Sequence, residues 1–218
     1  MTVVSRQSRL IIFAKAPVPG SAKTRLIPAL GAAGAAALAH RMLDRALHNA
    51  LAAKVQSVEL CMSPAPEHAA WQHVALPQSV QCTAQGEGDL GERMAAAMGR
   101  ITGPGQGYQP VLLMGTDCPG LNTELISEAA RQFQAHDAVI VPVADGGYSL
   151  IGLKLPCLEL FTQMAWSTST VAHETLQRMA GLGMKVWLGP LLHDIDEVAD
   201  LAHLPTGFLW PENPGQDN

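Results

Sequence analysis

A chain of 218 residues, 48% apolar and only 15% charged, carries enough hydrophobic material for one medium-sized domain with a full core and lacks the composition of a disordered segment. Its 14 basic and 19 acidic residues give a net charge of −5, and no basic run offers a track for a nucleic-acid backbone, which speaks against nucleic acid as a partner. Cys61, Cys82, Cys118 and Cys157 stand far apart, without CxxC or zinc-finger spacing, and fit a reduced, cytoplasmic setting.

In chain order, Leu10 to Ala14 is a short apolar run that stops at Lys15 and Pro17, which predicts a strand buried on both faces. The apolar stretch around it is far shorter than the ~20 residues of a membrane span, so neither a targeting segment nor a membrane partner is expected. From Ala33 to Ala53, Leu38, Met42, Leu43, Leu47 and Leu51 recur at helical spacing. Val55 to Met62 reads as a strand, Glu67 to Ala75 as a short helix, Val80 to Thr83 as a strand and Leu90 to Arg100 as a helix. Val111 to Met114 is a second buried strand, ending at Gly115-Thr116-Asp117. Asn122 is placed to cap a helix through Gln134. Ala138 to Val143 and Tyr148 to Leu153 read as strands separated by Asp145-Gly146-Gly147, which suits either a hairpin turn or a bend around a ligand. A helix over Thr168 to Ala180, a strand over Met184 to Leu188 and a short helix over Glu197 to Leu204 complete the pattern.

This alternation predicts a single α/β domain over residues 10–204, with a mostly parallel sheet covered by helices on both faces. Residues 1–9 read as an N-terminal extension and 205–218 as a polar tail. In such folds ligands gather beyond the carboxyl ends of the strands, so the chemistry belongs in the loops that follow them.

The first of these loops, Lys15 to Leu26, brings Lys15, Lys23 and Arg25 together with Gly20 at a helix entry, where backbone N–H groups and cations can hold phosphate. It is not a Walker A loop, because Ala22 stands where the glycine before Lys-Thr is needed and Pro17 where the first glycine belongs. Asp117, emerging at the end of Val111 to Met114, suits a divalent ion, which binds a few carboxylates along with phosphate and water. Asp194 and Asp196 alternate, so in an extended segment they point to opposite sides and only one faces a shared metal. Gly86, Gly88 and Gly91 lie around the start of the predicted helix at Leu90, where Gly88 and Asp89 stand close to a base or ribose or simply cap that helix. Asp145, Gly146, Gly147 and Tyr148, with Trp166 and Ser167, are candidates for the acceptor side. HExxH, GxSxG and GxGxxG after the first strand are all absent, which counts against a zinc hydrolase, a serine hydrolase and a dinucleotide oxidoreductase.

FAKAPVPGSAKTRL, QGEGDLGERM, GTDCPGL, DGGYSLIGL and WSTST, in this order, resemble the DUF2064 group, glycosyltransferase-like proteins that include some named for arsenosugar biosynthesis or for radical-SAM neighbours. The resemblance runs from about Leu10 to Leu204 and implies the GT-A, or nucleotide-diphospho-sugar transferase, fold. The opening segment is also similar to that of phospholactate guanylyltransferases, with molybdenum-cofactor guanylyltransferases as more distant relatives. Carried over by motif, it implies that Lys23 and Arg25 contact nucleotide phosphates with Lys15 nearby, that Asp117 is a metal ligand and that Asp196 is the second. Where relatives read Asp-x-Asp-Thr-Pro-Glu-Asp-Leu, this chain reads Asp194 to Leu201 without the Thr-Pro.

The expected activity is Mg²⁺-dependent nucleotidyl transfer, with Mn²⁺ as the substitute ion: an NMP passes from an NTP to a small phosphorylated acceptor and pyrophosphate leaves. Lys23, Arg25 and Asp117 form the catalytic set. Two alternatives stand beside it. One is glycosyl transfer from a nucleotide sugar, with Asp145 as the base; the other is nucleotide binding without catalysis. The oligomeric state is not set by the sequence.

Overall fold

A computed structural model of the chain describes residues 8–101, 109–206 and 208, so most of the N-terminal extension and of the polar tail lies outside the described residues. The strands are β1 (Arg9–Lys15), β2 (Ser57–Ser63), β3 (Gln81–Ala84), β4 (Val111–Met114), β5 (Ala138–Pro142), β6 (Tyr148–Leu153) and β7 (Val186–Leu188). The helices are α1 (Ile27–Ala52), α2 (Leu90–Ile101), α3 (Thr123–Gln132) and α4 (Val171–Gly181). The strands form one sheet in the order β3-β2-β1-β4-β6-β5-β7. Only β6 runs against its neighbours, because a tight turn returns it directly beside β5.

Alternation along the central strands divides the core. Leu10, Ile12 and Ala14 of β1 meet Leu43, Leu47 and Ala50 of α1 on one face, while Ile126 and Phe133 at α3 pack into the same cluster. Ile11 of β1 faces the other side, with Met94 and Met98 of α2 and Met179 of α4. Fully burying each Leu or Ile contributes about 1.5–3 kcal/mol, which explains why β1 and β4 lie at the centre. A third cluster sits under the first half of α1, where Leu26, Ala35, Leu38 and Met42 surround Ile195. Phe208 joins it, and its carbonyl accepts a hydrogen bond from Arg41 at 3.0 Å.

Three predicted elements take a different form. The helix expected from residue 33 begins at Ile27 but kinks at Gly31, whose φ of 68° breaks the helical backbone two residues before the predicted start. The helix expected over 67–75 is a single 3₁₀ turn, Ala69–Trp71; Pro64, Pro66 and Pro77 bracket the segment and leave no room to extend it. The last helix is likewise a 3₁₀ segment, Val198–His203. The Asp145-Gly146-Gly147 segment closes a hairpin, and Asn122 caps α3 by accepting the Leu125 N–H at 2.9 Å.

By length and composition, Thr24–Ala52 is apolar enough to cross a membrane. Much of that hydropathy is alanine, and its buried stripe lies on β1 and β2, as in a sheet-covering helix.

The strand order reverses between β1 and β4. From β1 the chain proceeds to β2 through α1 on one face, whereas α2 leads into β4 on the other, which opens a crevice at the carboxyl ends of this pair.

Candidate active site

The crevice is formed by three segments. After β1, Ser21 and Ala22 donate backbone N–H groups to the Val18 carbonyl at 3.0 Å, closing a turn that delivers Lys23 in the left-handed region (φ 47°, ψ 47°). That conformation is costly for a residue with a Cβ and marks a constrained position. After β4, Asp117 begins a segment that α1 holds from below: Arg45 donates to the Pro119 carbonyl at 3.0 Å and Asn49 to the Leu121 carbonyl at 3.1 Å. The third segment is His193 to Asp196. Its Ile195 is fully buried and donates its N–H to the Asp117 carbonyl at 2.8 Å, while the Cys118 thiol donates to the His193 carbonyl at 3.3 Å. Ile195 thus acts as a peg that fixes the acidic residues on either side of it.

Lys23 joins the three segments. Its Nζ donates to the Ile195 carbonyl at 2.6 Å and lies 2.8 Å from Asp117 Oδ1 and 3.7 Å from Asp196 Oδ1. The Lys23 side chain is only 7% exposed, against 55% for Asp117. Arg25 Nη1 pairs with Asp196 Oδ2 at 2.6 Å, and Asp200 accepts the Asp196 N–H at 3.0 Å, which pins the backbone there.

Two lobes open from this junction. The first, of about 470 Å³, is lined by Lys15, Lys23 and Arg25. The second, of about 320 Å³, is lined by Asp145, Gly147, Tyr148, Trp166 and Ser167. Asp117 and Asp196 border both, so the sequence-predicted metal ligands stand where the predicted nucleotide and acceptor groups meet. Gly20 belongs to the first loop without lining the lobe. Gly88 and Asp89 lie at the start of α2, where Asp89 accepts the Glu92 N–H at 2.8 Å and Glu92 accepts the Asp89 N–H at 2.9 Å. This reciprocal cap is the helix-capping alternative for that segment.

The alternation rule misplaces one residue. Asp194 and Asp196 both line the second lobe, because 193–196 is irregular rather than strand and nothing enforces opposite sides. Only Asp196 shares Lys23 with Asp117. Burial, then the charges of Asp145, Asp200 and Asp117, raise the pKa of Asp194, which reflects crowded negative charge. Burial also pushes the Cys118 thiol up to about 11, so this cysteine packs and is no nucleophile at neutral pH.

Gly146 anchors the wall of the second lobe. It has a φ of 91°, its carbonyl accepts the Ala172 N–H at 2.8 Å, and a Cβ there would stand 1.9 Å from the Ser169 carbonyl oxygen. Gly146→Ala is expected to cost roughly 2–4 kcal/mol, from strain plus loss of the turn's docking on α4, lowering the midpoint of urea unfolding. An unchanged midpoint would show that the turn is not held by α4. Arg178 of α4 organises the neighbouring wall by donating to the carbonyls of Glu159, Leu160 and Gln163 at 3.2, 3.4 and 3.0 Å, ahead of Trp166.

Gln85 escaped the sequence reading. It is buried at the end of β3, donates to the Ala14 and Cys61 carbonyls at 3.2 and 3.0 Å, and accepts from Arg93 at 2.7 Å, so it ties together β1, β2 and α2 beside the first lobe. Its sequence signals were a polar residue directly after a strand and a place at the head of QGEGDLGERM.

The residues fit a divalent cation. Two carboxylates converge on one ammonium, and hard oxygen donors suit Mg²⁺ or Mn²⁺. Among the described residues no group of three or more His, Cys, Asp or Glu could hold a metal, so further ligands would have to come from phosphate and water, as Mg²⁺ usually requires.

Known proteins agree with this architecture. A Desulfovibrio desulfuricans G20 protein provisionally assigned as a nucleotide-diphospho-sugar transferase is 33% identical, with a TM-score of 0.81 over 89% of this chain and 84% of its own. Rv0371c of Mycobacterium tuberculosis H37Rv, solved in complex with manganese, is 14% identical, with a TM-score of 0.55 over 91% and 97%. The inositol-1-phosphate CTP transferase of T. maritima is 12% identical, with a TM-score of 0.53 over 94% of each chain. The last two share the fold alone. No curated protein matches by sequence. The fold is that of the nucleotide-diphospho-sugar transferases, and the chain is an enzyme of the transferase class. It belongs to the family DUF2064, described as an uncharacterized protein conserved in bacteria, whose match spans residues 46–168.

Proposed function

We propose that the protein is a divalent-metal-dependent nucleotidyltransferase that binds an NTP in the first lobe and transfers its nucleotidyl group to a small acceptor in the second. The observation that carries this reading is the junction itself: Lys23 reaches both carboxylates that border the two lobes, Asp117 and Asp196, and Arg25 reaches Asp196. Lys15 at the end of β1, with Lys23 and Arg25 in the loop after it, suits the phosphates of a triphosphate and the negative charge of departing pyrophosphate. Asp117 and Asp196 would hold Mg²⁺ or Mn²⁺, which when bound supplies charge neutralisation at the donor phosphates. In the transfer, an acceptor oxygen forms a bond to the α-phosphorus, the bond from that phosphorus to the bridging oxygen breaks, and its electron pair leaves with pyrophosphate. Lys23 and Arg25 stay with the leaving group, and the walls of the second lobe orient the acceptor. All four cysteines are free, in keeping with a cytoplasmic site of action.

Glycosyl transfer from a nucleotide sugar is the second reading, favoured by the assignment of the 33%-identical relative and by Asp145 in the second lobe. The two separate on a thermal-shift panel of NTPs and nucleotide sugars with and without Mg²⁺, followed by a pyrophosphate-release assay. Mg²⁺-dependent stabilisation by an NTP, with pyrophosphate release on adding acceptor, is the expected outcome. Stabilisation by nucleotide sugars alone moves the reading to glycosyl transfer, and binding of neither defeats both.

A further inference from the structure

We infer that the acceptor is an uncharged polyhydroxylated molecule, a sugar or polyol, that attacks through a hydroxyl oxygen and not through a phosphate. The inference rests on the nucleotide-donor reading and replaces the phosphorylated acceptor expected from the sequence.

The two lobes differ in charge. The first has Lys15, Lys23 and Arg25 at its wall. Among the fifteen described residues lining the second there is no Lys, Arg or His, whereas four are carboxylates: Asp117, Asp145, Asp194 and Asp196. A divalent ion held by Asp117 and Asp196 would offset only those two carboxylates, and Lys23 and Arg25 would be turned to the donor phosphates in the first lobe. Asp145 and Asp194 then keep the lobe negative, and a phosphate monoester entering it would meet like charge from these carboxylates with no lining cation to pair with. Hydroxyl groups suit the same wall, because carboxylates accept their hydrogen bonds and Ser167 and Thr168 can give or take others. Trp166 adds an aromatic wall against which the C–H face of a sugar ring can lie. About 320 Å³ is the volume of a small-molecule subsite.

A hydroxyl, unlike a phosphate, must lose a proton on attack. Asp145 is placed for this: its Oδ1 accepts the Gly147 N–H at 2.7 Å, which fixes the carboxylate on the turn and leaves Oδ2 to take the proton. In the balanced step the hydroxyl oxygen bonds to the α-phosphorus, its proton passes to Asp145, and pyrophosphate departs with the bonding pair.

The test uses the full-length protein, Mg²⁺ and the nucleotide that binds most tightly in the panel. Donor cleavage is measured with matched pairs: glucose and glucose 6-phosphate, ribose and ribose 5-phosphate, glycerol and glycerol 3-phosphate. In at least one pair the neutral member is expected to give a kcat/KM tenfold or more above its phosphorylated partner. Asp145→Asn, whose side-chain oxygen can still accept the Gly147 N–H, is expected to lower that rate about 100-fold while leaving nucleotide affinity in a binding assay unchanged. Preference for the phosphorylated members, stimulation by no neutral member, or a higher kcat/KM with the cationic glucosamine than with glucose would each overturn the inference. Failure of the donor reading shows separately, as absence of nucleotide binding before any acceptor is added.

Discussion

Replacing Lys23 by methionine is expected to strengthen the binding of Mg²⁺ alone by about tenfold while weakening nucleotide binding by a similar or larger factor. The ammonium lies 2.8 Å from Asp117 and 3.7 Å from Asp196, in the position a cation shared by both carboxylates would contest. Metal entering the free protein has to displace it. A bound nucleotide gives Lys23 phosphate oxygens as new partners, so metal and nucleotide should each favour the other by the same factor. In the methionine variant that mutual enhancement should largely vanish. Without metal the variant leaves two carboxylates facing each other and the Ile195 carbonyl without its donor, a loss of roughly 1–3 kcal/mol that added Mg²⁺ should recover. Titration calorimetry of metal alone, nucleotide alone and the two together decides the matter. If Mg²⁺ alone binds the wild type as tightly as the variant, Lys23 does not gate the metal.

The second large effect concerns Asp117→Asn. Turnover is expected to fall about 100- to 1,000-fold, and nucleotide affinity should lose its dependence on Mg²⁺. The fold should survive: Asp117 is more than half exposed, and its backbone carbonyl, which accepts from Ile195, is untouched by the substitution. A circular-dichroism spectrum and melting temperature close to wild type, together with metal-independent nucleotide binding, would establish this. Mg²⁺-dependent affinity equal to wild type would remove Asp117 from the site.

Much of the fold was legible because its central strands are buried on both faces. Leu10 to Ala14 and Val111 to Met114 had to be continuous apolar runs, and the loops after them carry Lys23 and Asp117. The cationic character of the first lobe was therefore visible in the chain. What the sequence hid were encounters across long separations. Lys23 meets the Ile195 carbonyl across 172 positions, and no local pattern reveals that Ile195 is pegged beneath α1. The same peg explains why Asp194 and Asp196 reach a common lobe despite their alternation. At Asp145-Gly146-Gly147 both sequence alternatives had merit: the segment is a hairpin turn and also part of the cavity wall. The segment before α2 carried too little information to separate a helix cap from a ligand loop, since Asp89 suits either.

The peg at Ile195 also bears on how such an enzyme can diversify. The donor end of the crevice is built on it, within the cluster under α1, so changes there disturb packing and catalysis together. The opposite wall presents the exposed side chains of Ser167, whose backbone is in the left-handed region (φ 61°), and Thr168, whose hydroxyl donates to the Ala165 carbonyl at 2.8 Å, so these positions carry a local constraint of their own but no core packing. Substitution at positions 167 and 168 is therefore expected to disturb one turn, whereas substitution at the peg disturbs the cluster that holds the donor end. A change of acceptor in a copy of this gene is thus expected to cost less folding stability than a change of donor.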